Sequence, residues 1–234
     1  MRTRQGRCTA ARVLSLIAVA LASCEALTGG PVEKGVGPPW TVLFDGTDAS
    51  AWRGFRSDSL PEGWRVVDGT LARLGPGGDI VTRATFSDFE LELEWRISPG
   101  GNSGIFFRID EQHDHVWQTG PEMQVLDDAG HADGKNPLTA AGANYALHSC
   151  AVPAVRPVGE WNRVRMIVRG PHVEHWLNDE LVVSYELWNS DWQGLVAASK
   201  FASMPDYGRN RAGHIALQDH GDAVWFRDIR VRQL

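Results

Sequence analysis

The sequence predicts an all-β fold, an antiparallel sandwich or jelly roll. Three observations carry this reading: strict two-residue alternation in several runs, turn-forming dipeptides between them, and the lack of convincing amphipathic helices. Thr41–Phe44 opens the series of strand candidates. Trp64–Val67 and Thr70–Leu74 flank Asp68-Gly69, a two-residue loop that favours a type I′ hairpin turn. From Phe89 to Ile97 apolar residues hold the odd positions and charged residues the even ones, the mark of a long half-buried strand. Ser103–Ile109 follows the turn signal Pro99-Gly100-Gly101-Asn102, and Glu122–Leu126 comes next. Val164, Met166 and Val168 then alternate with arginines. His172–Leu177 and Leu181–Leu187 flank Asn178-Asp179 as a second hairpin, and His214–Gln218 and Val224–Val231 close the series. Only Trp188–Phe201 could hold a short helix.

The N-terminus reads as an export signal. Arg2, Arg4, Arg7 and Arg12 precede Val13–Leu21, a mostly apolar run shorter than the ~20 residues that span a bilayer. Leu21-Ala22-Ser23-Cys24 matches a bacterial lipobox, so residues 1–23 are expected to be cleaved and Cys24 to carry lipid. Gly- and Pro-rich residues 24–39 are expected to be a flexible tether, with one domain over 40–234. The expected location is exported and membrane-anchored, facing the periplasm or the cell surface, with the lipid as the membrane contact.

Charge bounds the partners. Without its four leader arginines the chain keeps 19 basic against 29 acidic residues, which leaves no electrostatic footprint for nucleic acid. Cys8 leaves with the leader and Cys24 takes the lipid, so Cys150 has no disulfide partner and is expected to act as a small hydrophobe.

Strand parity selects candidate site residues. Asn102, Gly104, Phe106 and Arg108 share one face of their strand, and Ile105, Phe107 and Ile109 the other. Glu122 and Gln124 oppose Met123 and Val125, while His214, Ala216, Gln218 and His220 oppose Ile215 and Leu217. Amides and histidines recur where Glu and Lys usually decorate a solvated face, which suggests a groove. The mature part carries all ten tryptophans. Trp52, Trp64, Trp95, Trp161 and Trp225 are expected in the core, and Trp117, Trp188 and Trp192 as platforms on which sugar rings stack. His113-Asp114-His115, with Asp127-Asp128 nearby, has a spacing that could hold a divalent metal, calcium or a transition metal, though no cofactor is fixed by it.

A wider resemblance emerges from blocks in order: Leu43-Phe44-Asp45-Gly46, Trp64–Gly69, Asp88–Leu91, Gly101–Arg108, Gly120–Asp127, Gly159–Asn162, His175–Asn178, Ser199-Lys200-Phe201, Gly213–Gly221 and Val224–Ile229. Together they resemble the 3-keto-disaccharide hydrolase domain family. The resemblance implies a concanavalin A-like jelly roll and a hydrolase acting on glycosides oxidised to a ketone at C3. Asn178-Asp179 and Arg227-Asp228-Ile229 depart from the family's usual Asn-Gly and Arg-Asn-Ile. A C3 ketone acidifies the C2 proton, so a base, an oxyanion stabiliser and hydroxyl-binding groups are needed. The expected base and acid are Glu122 and His220, with Arg108 and Lys200 as oxyanion stabilisers. Asn102, Gln124, Tyr145, Trp192 and Gln218 are expected to bind substrate. A non-catalytic lectin-like module is the alternative, and a conventional glycosidase the third reading.

Overall fold

Thirteen strands pair into two antiparallel sheets within residues 37–234, the part of the chain described by the computed structural model. The expected leader and Cys24 lie outside the described residues. The larger sheet runs β11 (Glu180–Glu186), β10 (His172–Leu177), β9 (Asn162–Arg169), β6 (Phe89–Ile97), β13 (Val224–Gln233), β4 (Thr70–Arg73) and β3 (Trp64–Val67), with β1 (Thr41–Phe44) also on β13. The smaller sheet runs β2 (Trp52–Gly54), β5 (Ile80–Thr82), β12 (His214–Leu217), β7 (Asn102–Ile109) and β8 (Glu122–Leu126). One α-helix, α1 (Ser190–Ala198), lies where the sequence allowed one, started by the Asn189 side chain accepting from the Trp192 amide at 2.8 Å. No helix among the described residues is long and apolar enough to cross a membrane.

The core is the space between the sheets. Phe89, Leu91, Leu93, Trp95 and Ile97 of β6 are all buried, as the alternation requires, against Ile105 and Phe107 of β7, Met123 and Val125 of β8 and Leu217 of β12. Both hairpin turns have the predicted chemistry: Asp68-Gly69 sits at φ 49° and 72°, Asn178-Asp179 at 52° and 70°. Asp228 (φ 52°) stands at the register shift of β13 against β6, where a short polar side chain tolerates the left-handed backbone.

Three sequence expectations need correction. Trp161 and Trp225 are not core residues: both are half-buried on the outer side of the larger sheet, flanking the Arg96 guanidinium at 5.0 and 4.8 Å from their ring centres. Cys150 is half-buried at the edge of the core, its thiol donating to the Val152 carbonyl at 2.9 Å. The parity of β7 breaks near its end. Phe106 pairs with Ala216 and Ile109 with His214, so two β7 residues oppose one on β12, and Arg108 takes φ 55°. Ile109 therefore joins Phe106 on the outward face, packed with Val81, Val116 and Ala216. Arg108 is turned away from the face it was expected to share with Asn102.

Candidate active site

Gly104 is the bare centre of the smaller sheet's outward face. It pairs with Gln124 on β8, and its carbonyl accepts from the amide of Gln218 at 3.0 Å, so two glutamines flank a residue with no side chain. The carboxyl group of Glu122 lies across this gap. A Cβ on residue 104 would come within 2.9 Å of the Glu122 carboxyl carbon, so the glycine is what lets the carboxyl group lie where it does.

Around Glu122 the outward face forms a cavity of about 360 Å³. Its sheet-borne lining is Asn102, Glu122 and Gln124, with Gln218 and His220 just past the end of β12. Loops supply the rest: Trp117 from the 3₁₀ turn Val116–Gln118, Tyr145, and Lys200 and Met204 from the 3₁₀ turn after α1 and its end. Trp117 is stacked on His115 with ring centres 4.8 Å apart. His220 is exposed at the cavity edge. The loop beneath it is pinned by Asp219, which pairs with Arg73 at 2.6 Å and accepts from the amides of Gly77 and Gly78, each at 2.9 Å.

The electrostatics of this cavity are unusual. Glu122 is 7% exposed, and among the described residues its carboxylate has neither an ion pair nor a hydrogen bond. Burial is the main cause that pushes its pKa up to about 8; the charges of Asp79 and Asp133 add to this, and Lys200 opposes it. Burial holds the Lys200 ammonium below its ordinary pKa against the pull of Glu122 and Asp133. The ammonium nitrogen sits 4.1 Å from the centre of the Tyr145 ring. Tyr145 donates its hydroxyl to Asp133 at 3.3 Å, and burial is the first cause of a phenol pKa of about 12. Three side-chain oxygens in the cavity wall, Asn102 Oδ1, Gln124 Oε1 and Gln218 Oε1, are buried without a hydrogen-bond partner. Gln124 is oriented by its amide nitrogen, which donates to the Thr139 carbonyl at 3.1 Å.

Two expected site residues lie elsewhere. The Arg108 guanidinium is buried between the Ser87 and Gly170 carbonyls, at 2.9 Å each, and pairs with Asp88 at 3.2 Å. With those partners it ties strand ends together and does not line this cavity. Trp192 is only 4% exposed, stacked between Tyr185 and Tyr207 at 5.7 and 6.0 Å, which leaves no face open on the Glu122 side. The residues of the His113-Asp114-His115 run point to different partners: His113 to Asp206 at 2.9 Å, Asp114 to Arg56 at 2.6 Å, and His115 to Trp117. Asp127 and Asp128 accept from loop amides, Gly100 and Ala141, at 2.8 Å each. Among the described residues no group of three or more His, Cys, Asp or Glu is arranged to hold a metal ion.

Asp79 was not foreseen. Burial raises its pKa to about 6, and its carboxylate accepts from the Asp219 amide at 2.8 Å. It precedes β5, whose three residues are too few for alternation to register in sequence. Met204 and Asp133 were missed as well, since both come from loops whose spacing carries no periodic signal.

Comparison with known proteins gives the family and the fold. Residues 39–232 match the family of 3-keto-alpha-glucoside-1,2-lyase-like domains. A 3-keto-disaccharide hydrolase of Bacteroides thetaiotaomicron is 36% identical over 228 residues, covering 83% of this chain and 78% of that protein. The crystal structure of a candidate glycosyl hydrolase from Parabacteroides distasonis superposes with a TM-score of 0.78 at 32% identity, over 83% of this chain and 94% of that one. A second Parabacteroides distasonis structure of the same description gives a TM-score of 0.66 at 27% identity, over 84% and 100%.

Proposed function

Since the chain belongs to the 3-keto-alpha-glucoside-1,2-lyase-like domain family, we propose that this enzyme, a hydrolase, cleaves glycosides whose sugar ring has been oxidised to a ketone at C3. The single observation that carries this reading is Glu122, a buried and unpaired carboxylate beside Lys200 in a cavity otherwise lined by amides and aromatics. Ordinary glycoside hydrolysis uses two carboxyl groups about 5–10 Å apart flanking the scissile bond. Here Glu122 is the one carboxylate in the cavity lining, which suits proton abstraction from carbon.

The step runs as an elimination. The Glu122 carboxylate takes the C2 proton, and the C–H electron pair forms the enolate of the C3 ketone. Lys200, exposed at the cavity rim, turns its ammonium toward the developing enolate oxygen and offsets its charge. The enolate expels the C1 substituent, forming a C1–C2 double bond, and His220 protonates the departing oxygen. Water then adds hydroxyl at C1 and a proton at C2, so the net change is hydrolysis. The buried, unpartnered oxygens of Asn102, Gln124 and Gln218 accept from sugar hydroxyls, whose donors offset the cost of leaving those oxygens dry. Trp117 offers a ring to the apolar face of the sugar. Arg108 has no part in this scheme, so the oxyanion role rests on Lys200.

A raised pKa makes the Glu122 carboxylate a stronger base but leaves a minority ionised at neutral pH. Ionisation of Glu122 therefore gives kcat/KM a limb that rises with pH toward about 8, and the need for a proton donor to the leaving group bends the profile down beyond it. The test is turnover of 3-keto-trehalose and 3-keto-lactose against the unoxidised sugars, over pH 5 to 10. Comparable cleavage of the unoxidised sugars would assign conventional glycosidase chemistry; binding without turnover would assign a lectin-like module. For the anchor, we propose lipidation at Cys24, tested by whether Cys24→Ser shifts the protein from the detergent to the aqueous phase.

A further inference from the structure

We propose that a second cavity, sharing Met204 with the first, receives the departing part of the substrate and is built for a leaving group that carries an oxyanion, a carboxylate or a sulfate. This rests on the activity proposed above and adds the class of substrate.

The second cavity has a volume of about 610 Å³, against about 360 Å³ around Glu122. Met204 lines both, so the two cavities adjoin at its side chain, and on this proposal the leaving group of a disaccharide reacting over Glu122 lies on its far side. The far wall is Trp188, Trp192, Tyr207, Arg209 and Arg211. The Arg211 guanidinium lies 3.4 Å from the centre of the Trp188 ring, and Trp188 is itself held by its indole N–H donating to the Gly208 carbonyl at 2.6 Å. Stacking fixes the plane of a guanidinium while leaving its N–H edge free to donate. Among the described residues neither Arg209 nor Arg211 has a side-chain hydrogen bond or an ion pair. The nearest acid in sequence, Asp206, is engaged by His113 at 2.9 Å.

Tyr207 supplies an independent observation. It lines the cavity, is 3% exposed, and its hydroxyl has no hydrogen-bond partner among the described residues. Burial holds the phenol well above its ordinary pKa, so it remains a donor. The polar side chains of this cavity are weighted toward donors: two unpaired guanidiniums that only donate and a phenol that can donate, against the Gln193 side-chain oxygen as acceptor. A neutral sugar hydroxyl also needs acceptors, whereas a planar carboxylate or a sulfate takes donors only and matches the guanidinium fork. In a chain of net charge −6, two arginines facing a cavity without a carboxylate partner are a selective feature.

The experiment compares three 3-keto-glucosides whose leaving groups are glucose, glucuronate and glucose 6-sulfate. The wild type should favour at least one anionic leaving group over glucose by ~10–100-fold in kcat/KM, the scale of one or two charge-assisted hydrogen bonds. The double variant Arg209→Gln/Arg211→Gln should erase that preference, lowering kcat/KM for the favoured anionic leaving group by ~10–100-fold more than for glucose. Both residues are exposed, so the fold should hold, as a melting curve will show. Arg211→Lys, which keeps charge but not the fork, should recover part of the preference. Glucuronate and 6-sulfate separate the two sources of oxyanion. Equal kcat/KM for all three in the wild type, or an equal loss for all three in the double variant, overturns the proposal. Calorimetric binding of methyl glucuronide against methyl glucoside gives a readout free of turnover. Selective binding without cleavage of any 3-keto-glucoside would keep this site and remove the proposed reaction; cleavage without selective binding or preference would do the reverse.

Discussion

The two outward faces of this sandwich follow the same alternation and treat their charges in opposite ways. On the larger sheet Glu90, Glu92 and Glu94 rise from β6 into a ladder of arginines. Arg165 meets Glu90 at 2.5 Å, Arg230 meets Glu92 at 2.5 Å and Arg227 meets Glu94 at 2.6 Å, while Arg232 closes the other side of Glu90. Trp40 lies under Arg230 and Arg232, and Trp161 under Arg96 and Arg227. On the smaller sheet Glu122 has no ion pair, and three amide oxygens around it have no partner. Burying a polar group without a partner costs stability, so a fold keeps such groups where a ligand will satisfy them. The face whose carboxylates are paired reads as structure, although Arg96 Nε on it is buried without a partner, and the face whose carboxylate is unpaired reads as chemistry.

The largest test of that contrast is Glu122→Gln. If Glu122 is the base, kcat on the 3-keto substrate should fall ~10²–10⁴-fold, the range for losing a general base, while substrate binding persists. A fall of less than threefold would move the chemistry to Asp79 or His220. The matching change on the other face, Glu92→Gln, should leave kcat unaltered, because its partners Arg163 and Arg230 are on the opposite side of the sandwich from the cavity.

How much of this was legible in the sequence differs by element. Alternation located β6, both hairpins and the outward set of Asn102, Glu122, Gln124, Gln218 and His220, since a two-residue period maps directly onto faces. It failed at Arg108, where one extra residue at φ 55° reverses the faces, a change the local sequence does not announce. It failed for Trp161 and Trp225 because a half-buried tryptophan over arginine has the same strand parity as a core one. Trp192 sits on α1, and its burial is set by Tyr185 and Tyr207, which lie outside that helix. Asp79 and Met204 come from segments without periodicity.

A subtler break comes from Gly104→Ala. The added methyl meets the Glu122 carboxyl group, which must swing off the sheet. Alanine is compatible with an extended strand, so the fold should lose no more than ~1–3 kcal/mol, the usual cost of overpacking, while kcat falls about 10–100-fold as the base leaves its place. If Glu122 is only a wall of the cavity, KM should rise and kcat should hold. The split between the two constants therefore distinguishes a base that must be positioned from a residue that merely fills space.

The smallest signal is thermodynamic, and its sign differs between the faces. Burial works against ionised Glu90 too, but hydrogen bonds from Arg165 and Arg232 outweigh it and hold its pKa below the ordinary 4.5. Folding therefore gains from ionised Glu90 above about pH 4.5, and the gain disappears as pH falls through the depressed native value. Glu122 behaves in reverse. The unfolded chain releases that proton near 4.5 and the native protein near 8, so each step up in pH between these values weighs against the fold. Glu90→Gln should thus lower the melting temperature at pH 7 and make little difference at pH 3. Glu122→Gln should make little difference at pH 4 and raise the melting temperature at pH 9. The Glu90 shift should be a few degrees, since 1 kcal/mol moves Tm by about 2–4 °C in a domain of this size, and the Glu122 shift at pH 9 larger, because its pKa departs much further from 4.5. Melting curves of both variants at the two ends of the pH range would decide it. If Glu122→Gln is destabilised at pH 9, its carboxylate is well solvated or paired in the native protein. The distinction between a face of paired carboxylates and a face with an unpaired one would then fail at the residue on which it most depends.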